Sequence, residues 1–327
     1  MNNIIKKVVS KKVSLAPMAG ITDVVLRNLI REYSKDCLIT TEMISSEGLN
    51  NIHDCAIIKK SATDSPIAYQ ISGHKPELMA KAAKFLESRS DIIDINMGCP
   101  VKKVVCGGDG SALMKTPELA QDIVKAVKSN ISIPVSVKFR LGYTAESMNY
   151  VEFGQMMQEA GADFITIHAR TRAQMYSGTA DWAKIKDLKH AVDIPVFANG
   201  DVVSIETAEQ CMEFSEADGV AIGRGVLGDV TLPYRIQHYF ETGEKLPVPS
   251  AEDKLDILTR HLENEISLRG IDVGIKCIRK LYGYYISGIR NAAKYRAELV
   301  RIDDYSQMLE TLEKIKYEIR QNSLLVV

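Results

Sequence analysis

The sequence predicts an α/β protein, a (β/α)₈ TIM barrel followed by a small C-terminal helical domain. Eight short β-branched runs alternate with segments of helical period through roughly the first 230 residues. Such alternation gives a parallel sheet covered by helices, and eight units in that span match a closed barrel. Beyond Asp229 the barrel pattern stops; a Pro-bearing linker at Glu244–Ser250 leads to a segment, Glu252 to Gln321, that is helical in pattern throughout. The competing architecture, an open doubly wound sheet, lacks the G-x-G-x-x-G that would open its first helix. The expected domains are residues 1–243 for the barrel and 251–327 for the helical part.

In chain order the expected strands are Val13–Ala16, Leu38–Thr41, Ile67–Ile71, Ile92–Asn96, Val135–Phe139, Phe164–His168, Val196–Asn199 and Gly219–Ile222. Between them, helical periodicity covers Asp23–Tyr33, Pro76–Glu87, Pro117–Lys128, Ala145–Ala160, Trp182–Ala191 and Ile205–Phe214. Pro76 and Pro117 fall in first turns, where a missing N–H costs nothing, and Thr116 is a candidate cap for the second of these helices. The Ile-Pro pairs at 133–134 and 194–195 put proline at the entry of a strand, where it is tolerated.

The 327 residues are 46% hydrophobic and 25% charged, enough to bury one large core and a smaller one. No apolar run approaches the roughly 20 residues of a membrane helix. The lysine-bearing N-terminus has no apolar core long enough for a secretory signal. A cytoplasmic monomer without a stable protein partner is the expectation. The six cysteines, at 37, 55, 99, 106, 211 and 277, form no C-x-x-C pair, and none stands beside a His at ligand spacing. No metal site is therefore expected, and most of these thiols should be buried.

In this architecture chemistry gathers at the C-terminal ends of the strands. Polar residues recur there: Gln70; Asp94 and Asn96 running into Met97-Gly98-Cys99-Pro100; Lys138-Phe139-Arg140; His168-Ala169-Arg170; Asn199-Gly200-Asp201; and Gly223-Arg224-Gly225. Alternation places Lys138 on the face of Ser136, His168 with Thr166 and Gln70 with Ala68. Singly, each has a plainer reading: a hydrogen-bonded structural histidine, a solvated lysine, a buried cysteine. Their recurrence at corresponding strand ends favours a site. The loops after the last two strands are where such barrels bind phosphate, and Arg224 adds charge-assisted hydrogen bonds there. The same dipeptides are also ordinary turn chemistry. Cys99 sits on a turn made approachable by Gly98 and rigid by Pro100. A thiol with an ordinary pKa of about 8.5 is protonated at neutral pH, which makes it a proton donor unless strongly acidified.

The net charge of −1 rules out an evenly basic nucleic-acid binder but hides a local asymmetry. Gly274–Arg296 carries Lys276, Arg279, Lys280, Arg290, Lys294 and Arg296, no acid, and four interleaved tyrosines, 282, 284, 285 and 295. Lys276, Arg279 and Lys280 share a face by helical spacing. Such a segment suits phosphate contacts and base stacking, or else a solvated helix with its tyrosines packed inside.

Taken together and in order, these residues resemble the tRNA-dihydrouridine synthase family over nearly the whole chain. The marks are Ala16-Pro17-Met18-Ala19-Gly20-Ile21-Thr22-Asp23, Thr41-Glu42-Met43, Asp94 to Pro100, Gly107-Gly108 with Gly110-Ser111-Ala112-Leu113, Lys138-Phe139-Arg140, His168-Ala169-Arg170-Thr171, Asn199-Gly200-Asp201 and Gly223-Arg224-Gly225. Val101-Lys102-Lys103 after Cys99 looks most like the bacterial B type.

The resemblance implies FMN as cofactor, NADPH as electron donor and tRNA as substrate. It puts Pro17, Met18 and Ala19 along the flavin, Gln70, Lys138 and His168 at its ring, and Asn199, Gly200, Asp201, Gly223 and Arg224 at its phosphate. Asn96 and Arg170 would face the uracil, Cys99 would protonate its C5, and Lys276, Arg279 and Lys280 would hold the tRNA. A small-molecule flavin oxidoreductase of the dihydroorotate dehydrogenase kind would share the barrel but leave the basic segment unexplained. A non-catalytic RNA-binding protein would leave the strand-end cluster unexplained.

Overall fold

A computed structural model describes residues 1–51 and 58–324. Its strands are β1 (Val13–Leu15), β2 (Leu38–Thr40), β3 (Ile44–Ser45), β4 (Ile67–Ser72), β5 (Ile92–Met97), β6 (Val135–Arg140), β7 (Phe164–His168), β8 (Val196–Asn199) and β9 (Gly219–Ile222). All pair in parallel, in the order β2-β1-β9-β8-β7-β6-β5-β4, and β2 pairs with β4 to close the barrel. The eight expected strands are these, displaced by no more than a residue at their ends. β3 is an addition: two residues beside the end of β4, too short to leave a period in the sequence.

The barrel interior changes character along its axis. At the N-terminal end Leu38, Ala68, Ile92, Phe164, Phe197 and Ala221 form an apolar layer. Phe164 and Phe197 meet edge to face at 4.8 Å. The helix Asn3–Lys11 plugs this end with Ile5 and Val8. Its cap is Asn2, whose Oδ1 accepts from the Ile4 N–H at 2.8 Å. At the other end the inward residues turn polar, and that is where the site lies.

Outer helices follow the strands at Val24–Tyr33, Pro76–Leu86, Pro117–Asn130, Tyr150–Glu159, Ala183–Ala191 and Ile205–Ser215. Three expectations need correction. Thr116 starts its helix through its backbone, and its side chain makes no capping hydrogen bond. The segment from Ala145 is a single 3₁₀ turn, Ala145–Ser147, broken before Tyr150. The barrel also runs one helix past Asp229, to Leu232–Thr242. That helix buries Arg235 and Gln237 beside Leu232 and Ile236, so polar residues mask its apolar stripe.

After the irregular stretch 244–250 come Ala251–Arg269, Ile271–Ile278, the single turn Tyr282–Tyr285, Ala292–Leu299 and Tyr305–Leu324. They dock on the barrel beside β1 and β9. Arg269 bonds Asp23 Oδ2 at 2.6 Å, and Arg260 bonds the Tyr33 hydroxyl at 2.9 Å. Gly228, at φ +81°, lies so near this region that a Cβ would fall 2.5 Å from the Tyr284 carbonyl oxygen.

The cysteines differ from expectation. Cys37 and Cys211 are buried, Cys99 and Cys277 half-buried and Cys106 exposed, while Cys55 lies outside the described residues. Cys99 and Cys106 belong to the turn after β5, which the barrel core does not cover. Among the described residues no helix is long and apolar enough to cross a membrane, and no group of His, Cys, Asp and Glu could hold a metal ion.

Candidate active site

Parallel register brings the polar strand ends to one level. Asn96 stands opposite Lys138, Lys138 opposite Thr166, and His168 opposite both Arg140 and Asn199. Above them opens a basin of about 580 Å³. Pro17, Met18 and Ala19 line it from the loop after β1, Gln70 from β4, and Asn96 and Cys99 from β5 and its turn. Lys138, His168 and Arg170 line it from the next two strands, and Asn199, Gly200, Asp201, Gly223 and Arg224 from the last two.

A hydrogen-bond relay fixes the Cys99 turn. Asp94 accepts from Ser136 Oγ at 2.6 Å and from Gln70 Nε2 at 2.7 Å. Gln70 Oε1 accepts from Asn96 Nδ2 at 2.8 Å, and Asn96 Oδ1 accepts from the N–H groups of Gly98 and Cys99 at 3.1 and 2.9 Å. Every member is thus oriented from the buried carboxylate outward. Arg140 braces the same turn, donating to the Gly98 carbonyl at 2.7 Å and to those of Thr171 and Met175 at 3.0 and 2.9 Å. Asp94 and Arg140 were named from the sequence as polar strand-end residues, but no role was assigned to either.

Charge in the basin follows from burial. Burial pushes the Cys99 thiol above its usual range, so it keeps its proton at neutral pH. Burial, reinforced by Arg140, brings Lys138 down to about 7. His168 is held well below its ordinary value by burial and by the surrounding cations, and is neutral. Asp94 is raised by burial to about 6.

The end of the basin beside β8 and β9 is open to an anion. A Cβ on Gly223 would have no neighbour nearer than Asn199 Nδ2 at 3.9 Å, so backbone is presented directly to the cavity. Lys138 Nζ donates to Asn199 Oδ1 at 3.0 Å, and Asn199 Nδ2 is anchored on the Ala221 carbonyl at 2.6 Å. The Asp201 carboxylate turns from this end to Arg170 at 2.7 Å and the Ala180 N–H at 2.8 Å. Arg170 also holds the Ser177 and Gly178 carbonyls, at 3.1 and 2.6 Å, and so ties down the loop after β7.

Two tyrosines complete the wall: Tyr176, which sequence reasoning missed, and Tyr284, which it named only within the basic segment. Tyr176 sits with Arg224 5.0 Å and Arg140 5.6 Å from its ring centre. Tyr284 reaches the basin from the helical region. The other tyrosines of the basic segment, Tyr282, Tyr285 and Tyr295, are buried in packing.

Lys276, Arg279 and Lys280 are not brought into the basin. The helix ends at Ile278 and tightens to a 3₁₀ turn at Arg279–Leu281. Arg279 pairs with Asp303 at 2.5 Å, Lys280 bonds the Gly20 carbonyl, and Lys276 is exposed.

Barrel and basin together define a TIM-barrel enzyme with its polar centre at the C-terminal strand ends. Residues 14–320 match the family described as dihydrouridine synthase, and the chain belongs to that oxidoreductase family. It is 40% identical over 301 residues to a "Probable tRNA-dihydrouridine synthase" of Rickettsia bellii (strain RML369-C), covering 90% of this chain and 91% of that one. It is 38% identical over 312 residues to a "tRNA-dihydrouridine synthase B" of Shewanella oneidensis, covering 94% and 96%. The B-type likeness read from the turn after Cys99 agrees with this.

Among solved structures, a 2-naphthoyl-CoA reductase complex superposes with a TM-score of 0.52 at 13% identity, over 70% of this chain and 50% of that one. A variant of NCR from Zymomonas mobilis superposes at 0.50 and 16% identity, over 72% and 88%. At such identity these two show the barrel fold alone.

Proposed function

We propose that this protein reduces the C5–C6 double bond of uridine in tRNA to 5,6-dihydrouridine, with FMN as cofactor and NADPH as electron donor. The observation that carries the reading is one basin lined by a protonated thiol, Cys99, and by Gln70, Lys138, His168, Asn199 and Arg224.

The residues fit the cofactor. Gly223 leaves a cradle that a side chain would fill, and Arg224 adds charge for a phosphate. Gly200 and Asp201 shape that end, Asp201 by holding Arg170. Gln70 and Lys138 supply hydrogen-bond donors for a planar ring, His168 is neutral beside them, and Pro17, Met18 and Ala19 form the adjoining wall. Bound there, reduced FMN supplies a hydride to C6 of the uracil.

The protein's own part is the proton. As negative charge grows at C5 and O4, the S–H bond of Cys99 breaks and a C5–H bond forms. The thiolate left behind lies in the field of Arg140 and Lys138, which favour it, and takes a new proton from solvent. Asn96 and Arg170 face the uracil in this reading, and Asn96 also sets the Cys99 backbone. Drawing the base from its stack costs a few kcal/mol, less in a loop. The helical domain, residues 251–327, holds the tRNA against the barrel domain, residues 1–243. Lys276 contacts phosphate there, while Lys280 ties the domain to the barrel at Gly20 and Arg279 braces it internally through Asp303. The protein acts as a cytoplasmic monomer in this reading.

Mapping dihydrouridine in tRNA from cells lacking this protein tests the proposal. At least one position should revert to uridine and be restored when the chain is supplied again. An unchanged map would sink it.

A further inference from the structure

Opposite the helical region, around the barrel order from β1 and β9, stand the loops after β5, β6 and β7. They carry cations that the proposed chemistry does not use. Lys102 and Lys103 open the helix Lys102–Cys106, directly after Val101 at the basin's edge, and both are exposed. Lys115 ends the 3₁₀ segment Gly110–Lys115, and its ammonium lies 3.9 Å from the centre of the Tyr143 ring. The Arg172 guanidinium lies 5.1 Å from the same ring.

These loops are fastened to one another. Asn149 Nδ2 donates to the Met114 carbonyl at 2.9 Å. The N–H groups of Arg172 and Ala173 donate to the carbonyls of Gly142 and Tyr143, each at 2.9 Å. The cations are therefore borne on a braced surface rather than on free ends.

None of the four forms an ion pair among the described residues, and Arg172 Nε is buried without a hydrogen-bond partner. Elsewhere on the surface Lys75, Lys128, Lys186 and Lys245 each pair with a carboxylate. Acids do occur in the neighbouring loops but are engaged: Asp109 with His74 Nδ1 at 2.7 Å, Glu146 with Thr144. Four cations without ion pairs, spread over two loops at the mouth, suit an extended anion better than a single phosphate. Cations stacked on a tyrosine keep their charge and their free N–H edges for phosphate oxygens.

We propose that Lys102, Lys103, Lys115 and Arg172 form a second contact with the tRNA backbone, across the mouth from the helical domain. The inference rests on the tRNA reading given above. Neutralised phosphates release counterions, so each true contact adds about 0.7–0.9 to the slope of log affinity against log salt.

The test uses full-length, flavin-loaded protein and unmodified tRNA transcript, with affinity measured over a series of salt concentrations. Three variants are compared with the wild type: the quadruple alanine variant of these residues, the double variant Lys102→Glu/Lys103→Glu, and Lys276→Ala. Thermal midpoint and flavin content report folding, and the double variant changes only exposed side chains. The quadruple variant should lose about three units of salt slope. The double variant should bind about tenfold more weakly at physiological salt. Wild-type affinity and slope in both variants, with Lys276→Ala weakened, would overturn this inference alone. A wild type that binds no tRNA would overturn the parent reading and this one with it.

Discussion

The Cys99 thiol is kept protonated by burial, and its turn is held from two sides, by Asn96 at the backbone N–H and by Arg140 at the Gly98 carbonyl. Cys99→Ala removes the proton donor while leaving those supports in place. NADPH should still reduce the bound flavin, whereas reoxidation by tRNA should slow by about 10²-fold or more, the scale of general acid catalysis. Cys106, exposed on the same loop, serves as control: Cys106→Ala should cost far less. Stopped-flow traces at the wild-type rate for Cys99→Ala would remove the thiol from the chemistry.

Lys138 gives the site a pH dependence. Because burial disfavours its charge, it holds a proton only below about 7. In the proposed function its hydrogen bond to an anionic cofactor would be charge-assisted below that pH and neutral above it. FMN affinity of the stripped protein should therefore weaken about tenfold as pH rises through this range. Lys138→Met should be weak and flat, and a wild-type profile as flat as the variant's would contradict the assignment. Cys99, Lys138, His168 and the glycine loops were legible because strand period and fold class place them at strand ends. Tyr176 was not, nor were the roles of Asp94 and Arg140, although the strand-end pattern names both. Their partners lie on neighbouring strands and loops tens of residues away, beyond any local pattern.

Among the elements, the helix Val24–Tyr33 shows how one residue joins two parts of the fold. Asp23 Oδ1 accepts from the N–H groups of Val25 and Leu26, capping the helix, while Oδ2 takes the bond from Arg269. Asp23→Ala removes both, and should cost about 2 kcal/mol in urea unfolding with little change in slope. A loss under about 0.5 kcal/mol would show that the cap and clamp contribute little. Helical periodicity places the start of this helix at Asp23, but it says nothing of the cap or of Arg269. The plug helix Asn3–Lys11 was missed although Ile4, Ile5, Val8 and Val9 have helical spacing. Its lysines dilute the apolar stripe, and the layer it covers forms only when the barrel closes.

At the scale of the molecule, a net charge of −1 conceals how the cations are used. Many are bound to carboxylates or carbonyls: Arg269 and Lys280 hold the helical region on the barrel, and Arg279 pairs with Asp303 within that region. Composition alone could not separate these from cations left for a ligand. The basic, tyrosine-bearing segment was visible in the sequence, yet three of its four tyrosines serve packing and only Tyr284 reaches the basin. The barrel and the family were legible because their motifs lie at corresponding positions of a repeated βα unit. The division of labour between docking and binding arises only when distant segments meet.

In the proposed function this basin passes reducing equivalents to uridine in tRNA. This transfer is tested most directly by reducing the flavin-loaded protein with NADPH without oxygen, then adding tRNA transcript. Flavin reoxidation and dihydrouridine are followed together. One dihydrouridine should form per flavin reoxidised, with no reoxidation by tRNA already saturated at the target position. Reoxidation without dihydrouridine, or a flavin that stays reduced in the presence of unmodified tRNA, would contradict it.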